Sequence, residues 1–326
     1  MTEKVLVTGG CGFIGSHFAN YMKNKGHWVR VADAKPKEQC YLKLKADEVD
    51  RIDLRDFESC LIETKDIDWV FNFAANMGGI GFITKIGADV MHDNALININ
   101  MMESCRKNDV KRVFFSSSAC IYPSYRQETP EVEPLKEEYA LPAEPDQFYG
   151  WEKLFTEKLM EAYKKDYGLD ARITRFHNIY GPFGTYEGGR EKAPAALCRK
   201  VAMAKDGDSI EIWGDGKQTR SFLYIDDALE AVYKLMQSNY SKPLNIGSDE
   251  LISIDELANL IIEISGKNIG KKYDLSKPQG VRGRNADLQL IKKVLDWKPK
   301  TSYKEGLTRT YRWILEQVEM EEAGYG

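Results

Sequence analysis

Thr8-Gly9-Gly10-Cys11-Gly12-Phe13-Ile14-Gly15 follows a short apolar run, Lys4 to Thr8, and opens an amphipathic stretch from Phe13 to Lys25. Glycines 9, 12 and 15 stand three apart. Between a strand and a helix each has its own task. Gly9 permits the turn, Gly12 lets backbone approach a pyrophosphate, and Gly15 allows close helix-to-strand packing. Phe13 and Ile14 fall in the first helical turn, where N–H groups and the positive dipole end favour a phosphate. Asp33 ends the next apolar run, Trp28 to Asp33, where a carboxylate can bond the adenosine ribose hydroxyls and repel a 2′-phosphate. The stretch predicts a dinucleotide site and favours NAD over NADP. Asp53, after an apparent strand through Ile52, is open to two readings: a contact beside the adenine, or an N-cap for a helix starting near Arg55.

Outward from this motif the pattern repeats. Short apolar runs at Trp69 to Phe73, Arg112 to Ser117 and Ala171 to Phe176 alternate with helical spacing at Asp89 to Asn108 and Gln147 to Tyr167. Alternating strands and helices predict an α/β protein with a Rossmann-type, doubly wound parallel sheet. Beyond residue 177 the alternation gives way to loops with Gly and Pro, helical stretches near Ala193 to Lys205 and Ile254 to Ser265, and a closing helix from Tyr303. The expected division is a mainly NAD-binding domain over 1–177 and a smaller α/β substrate lobe over 178–326. Part of 221–250, where Ser221 to Leu235 reads as strand then helix, is expected to return to the first domain.

Composition narrows the partners. Of 326 residues 43% are hydrophobic, enough for a large core, and 46 Lys and Arg against 50 Asp and Glu give a formal charge of −4. No global positive field draws nucleic acid or anionic lipid. No stretch approaches the roughly 18 apolar residues of a membrane span, and Met1 to Gly10 holds no long apolar leader, so a cytoplasmic protein is expected. Six cysteines, at 11, 40, 60, 105, 120 and 198, form no C-x-x-C pair. That argues against a zinc site and a disulfide framework, and no metal is expected.

The chemistry lies further along. Tyr149 and Lys153, in Tyr-Gly-Trp-Glu-Lys, are four apart and share a helix face. A tyrosine serves as a base near neutral pH only when a neighbouring cation lowers its pKa, and a lysine one turn away can do so while binding a ribose. Ser116-Ser117-Ser118 ends an upstream strand and can offer a hydroxyl to the same substrate oxygen. Together the glycine motif, the serine run and the Tyr-Lys pair resemble the extended short-chain dehydrogenase/reductase family of nucleotide-sugar enzymes, over nearly the whole chain. That resemblance implies that Tyr149, Lys153 and Ser118 work with NAD to oxidise a sugar hydroxyl, commonly at C4. The ketone then acidifies the neighbouring C–H bonds.

Further segments narrow the resemblance: Ala74 to Gly79, Ser118 to Pro123, His177 to Pro182, Gly188 to Pro194, Trp213 to Gly216 and Gly280 to Arg284. They are similar to the branch that inverts two carbons of a GDP-sugar. By that resemblance Cys120 and Lys192 are an acid/base pair acting from opposite sides of the ring. Ala74 joins the cofactor residues, and Gly78, Ala119, Asn178, Glu191, Ala193, Lys200, Gln218 and Arg282 contact substrate. A homodimer through helices of the first lobe is implied as well. The residue types suit the task without the resemblance, because inverting a carbon beside a ketone takes a proton from one face and returns one to the other. Arg282 and Arg284 both suit a diphosphate, either can face solvent, and Arg282 is favoured; Arg220 can instead be structural. Ala119 and Cys120 supply no carboxylate of the kind a 4,6-dehydratase needs. A plain 4-epimerase remains the enzymatic alternative, and an NAD-binding regulator without catalysis the alternative of another class.

Overall fold

Most crossovers of the first half are a strand feeding a helix, the loop from Asp33 to Glu48 being the exception. In the computed structural model, which describes residues 2–324, Lys4–Thr8 (β1) leads to Phe13–Asn24 (α1), and Trp28–Asp33 (β2) to Glu48–Arg51 (β3) and Phe57–Thr64 (α2). Trp69–Asn72 (β4), Ile80–Ile83 (α3) and Gly87–Lys107 (α4) follow, then Arg112–Ser118 (β5), Phe148–Tyr167 (α5) and Ala171–Phe176 (β6). The remainder comprises Ile179–Tyr180 (β7), Ala193–Met203 (α6), Ser209–Trp213 (β8), Thr219–Ser221 (β9), Leu223–Tyr224 (β10), Ile225–Gln237 (α7) and Leu244–Ile246 (β11). Leu251–Ser253 (β12), Ile254–Ser265 (α8), Gly270–Asp274 (β13), Gly283–Arg284 (β14), Gln289–Leu295 (α9) and Tyr303–Glu322 (α10) complete it.

Seven parallel strands form the main sheet in the order β11-β6-β5-β4-β1-β2-β3. The chain travels one way from β1 and then crosses back to β4. The carboxyl ends of β1 and β4 therefore flank the reversal point where such sheets bind ligands. Val5 and Val7 pack on the face covered by Phe18 and Met22 of α1, while Leu6 joins Met101 of α4 and Met160 of α5 on the other. Burial on both faces is why these strands read as continuous apolar runs.

The segment read as strand then helix from Ser221 is shared among three places. β9 pairs with β12 and β14, β10 pairs with β7, and the strand at the edge of the main sheet is β11, with Leu244 opposite Thr174. Beyond the sheet, α6 packs on α8 and α10, and β8 pairs with β13. Ile210, Leu257 and Trp313 from this region belong to the same apolar cluster as Val5 and Phe18. One continuous core thus holds the two parts against each other. Among the described residues no helix is long and apolar enough to cross a membrane.

Candidate active site

The glycine turn closes on itself at the end of β1. Gly12 N donates to Gly9 O at 3.0 Å, and a Cβ on Gly15 would lie 2.2 Å from that same carbonyl oxygen. Only a bare α-carbon lets α1 start this close to the turn. Gly12 is the N-cap of α1 and no side chain caps the helix, which leaves the first-turn amides of Phe13, Ile14 and Gly15 to a phosphate. Asp33 Oδ2 accepts from Cys11 N and Oδ1 from Lys35 N, each at 2.9 Å, so the carboxylate is fixed beside the turn. Ala74 abuts Gly9 from the end of β4, its N–H donating to Thr8 Oγ1 at 3.3 Å. These groups fit a dinucleotide: amides for the pyrophosphate, a carboxylate for the ribose, and no side chain in between.

Asp53 stands at the rim, half-exposed, with Oδ2 2.7 Å from Arg55 Nη2. Hydrogen bonding from Arg55 holds its carboxyl below the ordinary range. The helix cap expected at Asp53 is made by Asp56 instead, whose carboxylate accepts from Ser59 N at 2.8 Å at the start of α2.

At the far end of the reversal point, Ser118 closes β5. Its Oγ accepts from Cys120 N at 3.1 Å, and its hydroxyl opposes the rise in the Tyr149 pKa. Helix α5 can bring Tyr149 this near because Gly150 follows it: a Cβ there would lie 2.1 Å from the Cys120 carbonyl oxygen. Tyr149 and Lys153 are both buried, with Lys153 Nζ 5.5 Å from the Tyr149 ring centre and 4.6 Å from that of Phe115. Burial raises the Tyr149 phenol well above its usual value, Cys120 and Glu152 adding to the rise and Ser118 opposing it. Burial likewise pulls the Lys153 ammonium down. Behind them Arg175 and Glu157 pair at 2.8 Å with both side chains buried, and Ser117 Oγ donates to the same carboxylate at 2.5 Å. This network anchors the end of β5 against α5.

Cys120 sits half-buried in the turn Ala119–Ile121, and Arg284 Nη1 donates to its Sγ at 3.3 Å. Lys192, at the N-cap of α6, is near enough that Cys120 and Arg284 both act on its charge. Burial lowers its ammonium, Arg284 lowers it further, and Cys120 opposes. Ser118 to Cys120, Tyr149 to Lys153, Glu191 to Lys192, Arg220 and Arg284 are thus brought to one region. Glu191 Oε2 and Gln218 Oε1 are buried atoms without a hydrogen-bond partner among the described residues, while Arg284 Nη2 and Asp146 Oδ1 face each other as an ion pair at 3.8 Å. Asn178, in the left-handed region at φ 47°, donates to Ser221 O at 3.0 Å.

The sequence pattern of the NAD dependent epimerase/dehydratase family matches residues 5–247. The chain belongs to that family. GDP-mannose 3,5-epimerase of Arabidopsis thaliana is 50% identical, over 98% of this chain and 84% of its own length. GDP-mannose 3,5-epimerase 1 of Oryza sativa subsp. indica is 47% identical, over 99% of this chain and 86% of its own. UDP-glucose 4-epimerase of Thermotoga maritima, solved with UDP-glucose, matches at a TM-score of 0.87 and 27% identity, covering 97% of this chain and 99% of that one.

In this epimerase/dehydratase the guanidinium that reaches Cys120 is that of Arg284, while Arg282, favoured for the diphosphate, is engaged by other side chains. Arg282 forks onto Asp215 at 3.0 and 3.1 Å and donates to Gln279 Oε1 at 2.7 Å. Arg284 is buried, with Nε on Gln127 Oε1 at 2.5 Å, and Gln127 in turn donates to the Tyr122 and Pro123 carbonyls. Gly283 draws the strand inward: a Cβ there would lie 2.3 Å from Thr129 O. Arg220 is held by the carbonyls of Thr219, Gln279 and Val281, a structural set, yet Arg284, Asp146 and Cys120 all act on its charge. Lys200 lies outside the convergence, its Nζ on Glu211 O at 2.7 Å beside the Trp213 ring. Gly78 precedes α3, and Ala193 opens α6. Gln127 and Asp146 carried no motif; a search for buried polar residues flanking the serine turn was the signal available for them.

Proposed function

We propose that this chain is an NAD-dependent GDP-mannose 3,5-epimerase. The observation that carries the reading is that Cys120 packs on the apolar cluster of Tyr149 together with the segment Gly79–Ile83, which holds Arg190 and Glu191 and so brings Lys192, 72 positions from Cys120 in sequence, to the same site. A 4-epimerase needs the tyrosine but neither of these two. Two near-full-length relatives at 50% and 47% identity bear the 3,5-epimerase name and support the same reading.

NAD, which the first-turn amides of α1, Asp33 and Ala74 would hold, would supply the hydride acceptor for sugar C4 and the donor for its return. Tyr149 would take the proton of the C4 hydroxyl beside Ser118; this requires the buried phenol to come down from its raised value, which the positive charge of oxidised nicotinamide, with the Lys153 ammonium 5.5 Å from the ring centre, would favour. With C4 a ketone, the hydrogens on C3 and C5 are acidic enough for side-chain bases. Cys120 and Lys192, on opposite sides of the ring, remove one proton and supply the other. Inversion at C5 alone gives GDP-L-gulose and inversion at both carbons GDP-L-galactose. Net redox change is nil. Arg284 and Arg220 offer fixed donors to the diphosphate, with Gln218, Asn178 and Glu191 around the sugar.

Residues 1–177 mainly hold NAD and 178–326 mainly hold the GDP-sugar. The enzyme works as a homodimer through α4 and α5, in the cytoplasm, where the six cysteines remain free thiols. The test is incubation with GDP-mannose and NAD in deuterated water, followed by NMR of the sugar. Deuterium at both C3 and C5 of inverted product is expected. Product inverted at C4 with no carbon-bound deuterium would make this a 4-epimerase instead.

A further inference from the structure

Lys192 ends a long connection. Residues 181–192 form no helix or strand, and Gly188 and Gly189 lie in the left-handed region at φ 79° and 82°. A lysine at the end of such a loop holds a fixed place only if something outside the loop grips it. The grip comes from the other side of the site. Gly79 N donates to Arg190 O at 3.0 Å. The Gly79 α-carbon sits so near the next peptide that a Cβ would lie 2.5 Å from Glu191 O. Arg190 lays its guanidinium over the Phe82 ring, 3.9 Å from the ring centre.

The gripping segment is itself anchored at the reacting centre. Ile83, Val90 and Tyr149 form one small buried cluster, against which Met77, Ile80, Phe82 and Cys120 pack. The element that holds Arg190 and Glu191 therefore rests on the same apolar cluster as Tyr149 and Cys120. Lys192 is the next residue after the gripped pair. We propose that Gly79 and Phe82 are positioning residues, which clasp Arg190 and Glu191 and thereby fix Lys192 across the sugar from Cys120.

The proposal rests on the 3,5-epimerase reading, since only a carbon-inverting enzyme needs Lys192 at a set distance from the ring. It makes a separable claim. C4 oxidation uses Ser118, Tyr149 and Lys153, which the clasp does not hold directly, whereas Glu191, one of the clasped pair, also faces the sugar. Proton exchange at carbon uses Lys192, and a misplacement of about 1 Å at a reacting group can cost on the order of 100-fold.

The test compares wild type with Phe82→Ala, Phe82→Tyr and Gly79→Ala, after NAD titration shows that each variant retains a folded cofactor site. Phe82→Ala and Gly79→Ala are expected to lower kcat for carbon inversion by about 10- to 100-fold, a larger change than any in KM that comes from loosening Glu191. Hydride transfer, followed as transient reduced-nicotinamide absorbance in a single turnover, should persist. The pH–rate limb that Lys192→Ala abolishes should move up toward an ordinary lysine value, because a released Lys192 regains water. Phe82→Tyr keeps the ring face under Arg190 and should restore inversion. Unchanged kcat in both disruptive variants, or equal loss of hydride transfer and inversion with an unmoved pH limb, would overturn the clasp. Failure of the underlying reading looks different: wild type itself would leave no deuterium on sugar carbon, and the clasp would fall with it.

Discussion

Removal of the Tyr149 hydroxyl tests the proposed chemistry apart from binding. Its ring fills the small cluster with Ile83 and Val90, and phenylalanine keeps that packing. What phenylalanine loses is the hydroxyl that Ser118 acts on and, on the proposed mechanism, the acceptor for the C4 proton. Tyr149→Phe should therefore lower inversion by roughly 10²- to 10⁴-fold while leaving NAD affinity and Tm nearly intact. Steady-state rates, cofactor titration and a thermal melt check this; inversion within about tenfold of wild type would take Tyr149 out of the proton path. Tyr149 and Lys153 could be singled out in the sequence because a spacing of four maps directly onto one helix face. Arg284 could not be told from Arg282 that way. Its contact with Cys120 spans 164 positions and depends on Gln127 turning the guanidinium inward, a geometry no local spacing encodes.

Elements bounded by turns and buried on both faces were legible to the residue. Lys4–Thr8, Trp28–Asp33 and Ala171–Phe176 are strands as expected from their apolar runs. The three-residue strand Leu244–Ile246 is too short to show a period, so its place at the sheet edge comes from tertiary packing on β6. Helix α2 carries a different kind of information. Glu63 is buried in it, 3% exposed, with Oε2 unpartnered among the described residues. Burial raises its carboxyl to about 7, Asp50 adding to the rise and Arg30 opposing it. From an unfolded value of 4.5 up to about 7, the folded chain keeps a proton that the unfolded chain has released. Stability from this group is therefore greatest below that window, falls as pH rises through it, and is gone above about 7, a swing on the order of 1–3 kcal/mol. Glu63→Gln preserves shape and cannot ionise. It should raise Tm relative to wild type at about pH 8, with the gain shrinking toward pH 5. Equal gains at both pH values, or none, would show that Glu63 does not titrate in this window.

Helix α5 joins the site to the outside of the protein. Tyr149 and Lys153 point inward, while Phe148, Trp151 and Phe155 are 62%, 42% and 46% exposed along another face. Three aromatic rings at i, i+3 and i+7 on one exposed stripe exceed the scattered apolar residues of an ordinary surface, and Ile99 of α4, which packs on α5, is also exposed. A second copy presenting the same α4 and α5 faces would cover the stripe in a two-fold arrangement, each stripe meeting its twin. The residues that gain burial would then sit on the helix that holds the catalytic tyrosine, so association would stiffen the site from behind. Trp151→Glu puts a charge in the middle of that seam, where no partner of opposite sign stands opposite its own copy. Sedimentation should find wild type as a dimer and Trp151→Glu as a monomer that still binds NAD, because the glycine turn lies at the end of β1, away from this face. A wild-type monomer at micromolar concentration would refute the dimer, and a dimeric Trp151→Glu would move the interface off α5.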